Sequence, residues 1–198
     1  MKAKLLLILS IFVLIYCDNN SYQGESARVL IVHSYHLEYF WTESIDVAIK
    51  ETLKDKGYEI KTFFMDTKRN TAEDFKKQAG EKALKLVEEF KPQIVITSDD
   101  NAQAYFAKQL VNHKEVSVVF CGVNAEAKKY GFPADNITGI LERPNIRNTL
   151  RYFQTIAPNM KNFSILVDKS STSSAFLQYV KTLNLPISIA NPFKQIGF

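Results

Sequence analysis

Residues able to do chemistry fall directly after the chain's apolar runs. "VLIVHSYHLEYFWTESI" starts at Val29 and leads into Ser34, Tyr35, His36, Tyr39 and Trp41; "PQIVITSDDNA" ends on Ser98, Asp99, Asp100 and Asn101; "VSVVFCGVN" ends on Gly122 and Asn124. Hydroxyls, amides and carboxylates gathered in this way suit a small polar ligand, and Tyr35 and Tyr39 add amphipathic rings with a hydrogen-bonding tip. His33 and His36 as a metal pair would need a third and fourth ligand, and His113 belongs to a different polar stretch, so a metal site is not expected. Asp99 and Asp100 could serve as general acid and base, but adjacent carboxylates at a helix start are more often caps favoured by the helix dipole. No phosphate loop, GxGxxG, GxSxG or HExxH is present and no pairing of nucleophile with base is visible, so neither catalysis nor a cofactor is expected. Cys121 sits in an apolar run and reads as an inert thiol.

The elements that must position these residues alternate. "RVLIVHS", "EIKTFFMD", "PQIVITS" and "VSVVFCGVN" are β-branched runs of strand length, with "ITGIL" a further short strand. Between them, Trp41, Ile45, Ala48, Ile49 and Leu53 recur at helical spacing and read as a core-facing stripe that Gly57 ends, which assigns Trp41 to packing. Thr71 with Asp74 resembles a capping box ahead of a helix with Phe75, Ala79, Ala83, Val87 and Phe90 on one face. "DDNAQAYFAKQLV" is the next helix, and Pro144 opens another bearing Ile146, Leu150, Phe153 and Ile156. Strands alternating with helices predict βαβ crossovers: an α/β fold, a Rossmann-like parallel sheet with helices on both faces, spanning residues 28 to 157. The pattern then restarts with a strand in "NFSILVD", a helix in "SSAFLQYVKTL" and a strand in "PISIANPF", the opening of a second α/β lobe over residues 158 to 198, expected to be cut short. The serines and threonine of "SSTSS" most simply cap the helix that follows, and in a second lobe they would face a cleft.

At 198 residues and 46% hydrophobic, the chain can bury a core. Its formal charge of +4 falls to +2 without Lys2 and Lys4, and no nucleic-acid partner is expected. Those two lysines precede an apolar run from Leu5 to Tyr16, the size of a signal-peptide core, which meets Cys17. "LIYC" resembles the lipobox of bacterial lipoproteins, with Tyr16 where a small residue is usual. The resemblance implies lipidation of Cys17 and an extracytoplasmic, membrane-anchored location in the cell envelope; the alternatives are an uncleaved anchor and a buried first helix. Residues 18 to 27 read as a polar tether.

Taken in order, "HSYHLEYFWTESI", "MDTKRN", "TSDDNA", "VVFCGVN" and "NITGILE" resemble the first lobe of the substrate-binding proteins of ABC transporters, which have the type I periplasmic-binding fold. The resemblance implies two lobes closing on a small solute, an ABC permease as membrane partner, and no catalysis. It places Ser34, Tyr35, Ser98, Asp99, Asp100, Asn101, Gly122 and Asn124 on the first wall of the cleft, and Asp168 and Ser170 at the start of the second. Amides at the helix starts near Ser34, Ser98 and Asn124 would hold an anionic oxygen, Asp99 or Asp100 an ammonium, and Tyr35 and Tyr39 an apolar portion, as for an amino acid, aromatic ones included. A sensory module that signals through a partner, and a fragment without function, are the competing readings.

Overall fold

A computed structural model describes residues 26–159, 163, 165–168 and 171–185. The chain runs β1 (Arg28–His33), α1 (Phe40–Leu53), β2 (Glu59–Phe64), α2 (Glu73–Phe90), β3 (Ile94–Ser98), α3 (Asp99–Tyr105), β4 (Ser117–Val123), β5 (Ile137–Leu141), α4 (Ile146–Ile156) and α5 (Ser171–Thr182), with short 3-10 turns at Ala107–Leu110 and Ala127–Tyr130. All five strands are parallel, in the order β2-β1-β3-β4-β5. This is the α/β sheet expected from the strand runs.

The order reverses at β1, so β1 and β3 are neighbours while their following helices leave in different directions, the situation in which an open parallel sheet forms a crevice. Register aligns the strand ends: His33 pairs with both Phe64 and Ser98, and Ser98 with Cys121. The loops after β1, β2, β3 and β4 therefore emerge along one rim.

β1 reads as an unbroken apolar run because both its faces are covered; Val29, Leu30, Ile31 and Val32 are each fully buried, a contribution of about 1.5–3 kcal/mol per side chain. On one face Leu30, Val32, Val95, Val118 and Phe120 pack with Ala79, Ala83 and Val87 of α2 and with Ala102 and Phe106. Gly80 lets α2 close on α3, since a Cβ there would lie 2.2 Å from the Tyr105 carbonyl oxygen. On the other face Val119 and Ile140 are 41% and 74% exposed.

Several local expectations are corrected. The N-cap of α2 is Ala72, with no side-chain cap bond, and Glu73 and Asp74 supply the first-turn charge in place of a Thr71 box. The first helix stops at Leu53, ahead of Gly57, whose φ of +72° serves the following turn. Along α4 only Ile146 is buried, while Phe153 and Ile156 are 41% and 62% exposed. In "NFSILVD", residues 163 and 165–168 carry no strand, for no described strand lies beside them to complete the ladder. α5 bears out the helix expected in "SSAFLQYVKTL". The strand expected in "PISIANPF", the leader with Cys17, and Ser170 lie outside the described residues. No helix among the described residues is long and apolar enough to cross a membrane.

Candidate functional site

A cavity of about 340 Å³ opens on the rim and is lined by Tyr35, Tyr39, Trp41, Lys68, Asp99, Asn124, Glu142, Asp168, Thr172 and Ser173. Five of the expected residues, Tyr35, Tyr39, Asp99, Asn124 and Asp168, thus share one space. Gly122 does not line the cavity but lies against two residues that do, Asp99 and Trp41. A register shift between Phe120 and Val123 turns the strand there, and Gly122 takes a φ of +64°; a Cβ on it would come within 3.5 Å of Asp99 Oδ1 and 3.7 Å of Trp41 Cζ2.

Trp41 is corrected from packing to site wall. It occupies the first turn of α1, which overhangs the rim, and its Nε1–H donates to Asp99 Oδ1 at 2.9 Å. Ile45, Ile49 and Leu53 below it are half-buried as the stripe predicts, but Ala48 is exposed, and the fully sealed positions of α1 are Thr42 and Asp46. Tyr35 and Tyr39 meet edge to face at 5.6 Å between ring centroids, and the Lys68 ammonium lies 4.4 Å from the Tyr39 centroid and 5.1 Å from that of Tyr35. The Thr172 side chain hydrogen-bonds the Tyr35 phenol, whose pKa is raised by burial and then by the carboxylates of Asp99 and Asp100. Ser173 Oγ donates to Asp168 at 2.5 Å.

Asp99 is 4% exposed and holds a left-handed backbone, φ +66°, a conformation aspartate tolerates better than most side chains. Burial pushes its carboxyl up to about 7, with the Trp41 and Ser98 side chains opposing and Asp100 and Glu142 reinforcing the shift. Its Oδ2 has no hydrogen-bond partner. Glu142, hydrogen-bonded by Asn124 Nδ2 at 3.2 Å, is also raised, by burial first.

Asp100 turns the other way and becomes an internal anchor. Its carboxylate accepts from the Asn124 amide at 3.1 Å, the Ala125 amide at 3.0 Å and the Tyr130 hydroxyl at 2.7 Å. Asn101 donates to Thr67 Oγ1 at 2.9 Å. Both line a separate cleft of about 200 Å³ with Lys76, Tyr105 and Lys129.

Ser34 and Ser98 lie on the rim but are sealed beneath it. Ser34 Oγ donates to the Ser98 carbonyl and accepts from the Ala102 amide, each at 2.7 Å, while Thr67 donates to the Ser34 carbonyl at 2.6 Å. Ser98 Oγ contacts His33 Nδ1 at 2.8 Å, and His33 Nε2 contacts Asp46 Oδ1 at 3.3 Å. Asp46 also accepts from Lys50 at 2.7 Å, so it acts as acceptor toward Nε2–H, and Nδ1 in turn accepts the Ser98 proton. The order of bonds matches a hydrolase triad, a pairing absent from the sequence reading because the partners are 65 and 13 residues apart. Ser98 and His33 are 1% and 0% exposed, so no acyl group reaches them, and burial lowers the His33 pKa. Cys121, half-buried, is raised to about 11 by burial, with Asp99 adding to the shift. Among the described residues no group of three or more His, Cys, Asp or Glu side chains is placed to hold a metal ion.

Lys68 and Glu142 were missed although their segments, "MDTKRN" and "NITGILE", had been singled out; a charged residue just past a strand end was the available signal. Thr172 and Ser173 belong to the hydroxyl run that reads most simply as a cap, or else as facing a cleft; they lie inside the first turn of α5 and line the cavity.

No protein-family model and no curated protein sequence matches the chain. Among solved structures it is similar to a substrate-binding protein with adhesive properties from Clostridium difficile, in its ligand-free, open form: TM-score 0.51 at 15% identity, over 83% of this chain and 57% of that one. It is similar also to a LacI family transcriptional regulator from Weissella paramesenteroides with bound glucose: TM-score 0.51 at 17% identity, over 82% of this chain and 58% of that one. These structural neighbours are a binding protein and a regulator, and the chain spans little more than half the length of each. The five-stranded parallel sheet, its 2-1-3-4-5 order and its flanking helices make this the fold of a type I periplasmic-binding-protein lobe.

Proposed function

We propose that the chain is the ligand-holding part of an extracytoplasmic, lipid-anchored solute-binding protein that serves an ABC permease, and that its solute is a small polar molecule bearing an amino group, the class to which amino acids belong. The observation that carries this reading is the rim cavity, where Tyr35, Tyr39 and Trp41 supply apolar faces beside the half-paired carboxylate of Asp99. The leader and Cys17 support the anchor, and the shared fold of a substrate-binding protein supports the solute. Asp168 and Thr172 belong to the proposed beginning of the second wall.

Isothermal titration of the full chain against amino acids, amines and sugars tests the solute. Saturable heat with an amine-bearing member supports the reading, and heat with none of the panel removes it. Mass spectrometry of the N-terminal peptide tests the anchor: a diacylglycerol on Cys17 is expected, and an unmodified Cys17 behind an intact leader contradicts it. A second reading, a sensory input module, is favoured by the same fold in a glucose-bound transcriptional regulator. A permease and ATPase encoded beside this chain support transport; a histidine kinase or cyclase there supports sensing.

A further inference from the structure

Among the described residues, the lining of the rim cavity is unevenly charged: Asp99, Glu142 and Asp168 against Lys68. The rim amides that an anionic ligand would need are already engaged. Ser34 Oγ takes the Ala102 amide, and Asp100 takes the amides of Asn124 and Ala125. Lys68 rests over the Tyr35 and Tyr39 rings. Asp99, by contrast, is incomplete. It is 4% exposed, its Oδ1 receives the Trp41 N–H, and its Oδ2 receives nothing. The neighbouring Ser98 hydroxyl contacts His33 Nδ1 and lowers the Asp99 pKa, yet Oδ2 itself is left without a hydrogen-bond partner. A buried carboxylate oxygen without a donor is unfavourable until something supplies one.

Resting on the solute-binding reading above, we propose that this cavity takes an organic monocation, a primary amine on an aromatic or apolar body with no free carboxylate, whose ammonium donates to Asp99 Oδ2. Glu142 and Asp168 add to the attraction at longer range, Glu142 while also accepting from Asn124 and Asp168 while accepting from Ser173. The rings of Tyr35, Tyr39 and Trp41 cover the body, and of the three only Tyr35 and Tyr39 already carry the Lys68 ammonium over them. A carboxylate on the ligand would meet three acidic side chains, with Lys68 the one cation among the described lining residues to offset them.

Trp41 is the chain's single tryptophan, so its emission reports on the cavity. Titrating the full chain with tyramine, 4-ethylphenol, tyrosine and 3-(4-hydroxyphenyl)propionate varies charge while keeping the ring. Tyramine is expected to bind about tenfold or more tighter than 4-ethylphenol or tyrosine, and the propionate not to saturate. Asp99→Asn keeps an oxygen for Trp41 and tolerates the left-handed backbone; with folding verified by circular dichroism, it should lower tyramine affinity by about tenfold or more and leave 4-ethylphenol unchanged. If the neutral, zwitterionic or anionic compound binds as tightly as tyramine, the cation assignment is overturned while solute binding stands. Unchanged tyramine affinity in Asp99→Asn also overturns it. Silence of all four does so too, and the calorimetric panel then decides the solute reading separately.

Discussion

The Trp41 indole and the Asp99 carboxylate, 58 residues apart in the chain, meet across the rim in a 2.9 Å hydrogen bond. Each is placed by a different βα unit, Trp41 by the first turn of α1 and Asp99 by the turn out of β3. The contact exists because parallel register brings His33 and Ser98 side by side. It ties the aromatic wall to the acidic one and leaves the second carboxylate oxygen buried at the cavity wall without a hydrogen-bond partner.

Holding the Asp99 carboxyl near 7, against an ordinary 3.8, makes ligand-free stability depend on pH. The folded state retains a proton that the unfolded chain releases, so this contribution is full below about pH 4 and is lost as pH rises through about 7, a change of up to about 4 kcal/mol. Asp99 is faced by Trp41 of α1, Tyr35 of the β1–α1 loop, Cys121 of β4, Glu142 after β5, and its neighbour Asp100. His33 acts in the opposite sense, losing stability as pH falls below 6.5. Urea denaturation of wild type and Asp99→Asn from pH 4 to 8 isolates the difference. The variant's advantage should grow with pH, and a constant gap would contradict the assigned burial of charge.

Asp100→Asn should behave unlike Asp99→Asn. An amide keeps one acceptor oxygen where the carboxylate serves Asn124, Ala125 and Tyr130. Thermal melts should show a loss of about 1–3 kcal/mol. Solute affinity, compared at a temperature where both proteins are folded, should change much less than in Asp99→Asn; the reverse ordering would exchange the roles of the two aspartates.

Gly80→Ala tests how α3 is held in place. The added Cβ would lie 2.2 Å from the Tyr105 carbonyl oxygen, so α2 and α3 must separate. A destabilisation of roughly 1–3 kcal/mol or more is expected in chemical denaturation, together with weaker solute binding, because α3 carries Asp99. Unchanged stability would show that this interhelical contact is looser than described.

The buried Ser98–His33–Asp46 chain predicts inertness toward fluorophosphonates. Mass spectrometry after exposure of the native chain should find Ser98 unlabelled, and labelling would show that the Ser98–His33–Asp46 chain is reachable by a substrate. Ser98→Ala, which leaves His33 Nδ1 without a donor, should cost about 1–3 kcal/mol of stability.

The sheet was legible because each strand is a β-branched run ending in polar residues, a local pattern that survives folding. Trp41 was misjudged because helical periodicity says which face a residue occupies but not whether that end of the helix overhangs the sheet. The division between Asp99 and Asp100 was equally hidden: it depends on Trp41 reaching one and on the β4 loop amides, 24 and 25 residues away, reaching the other. Ser34 and Ser98 follow strands just as ligand-facing hydroxyls would, and only the positions of Ala102 and His33 show that both turn inward.

The indole N–H of Trp41 gives a single resonance in a proton–nitrogen correlation spectrum, and it reports directly on the cavity. Titration with the tightest binder from the solute panel should move that resonance saturably, with the same dissociation constant as calorimetry. A solute that binds by calorimetry while the Trp41 indole stays unmoved would place binding elsewhere and contradict the account.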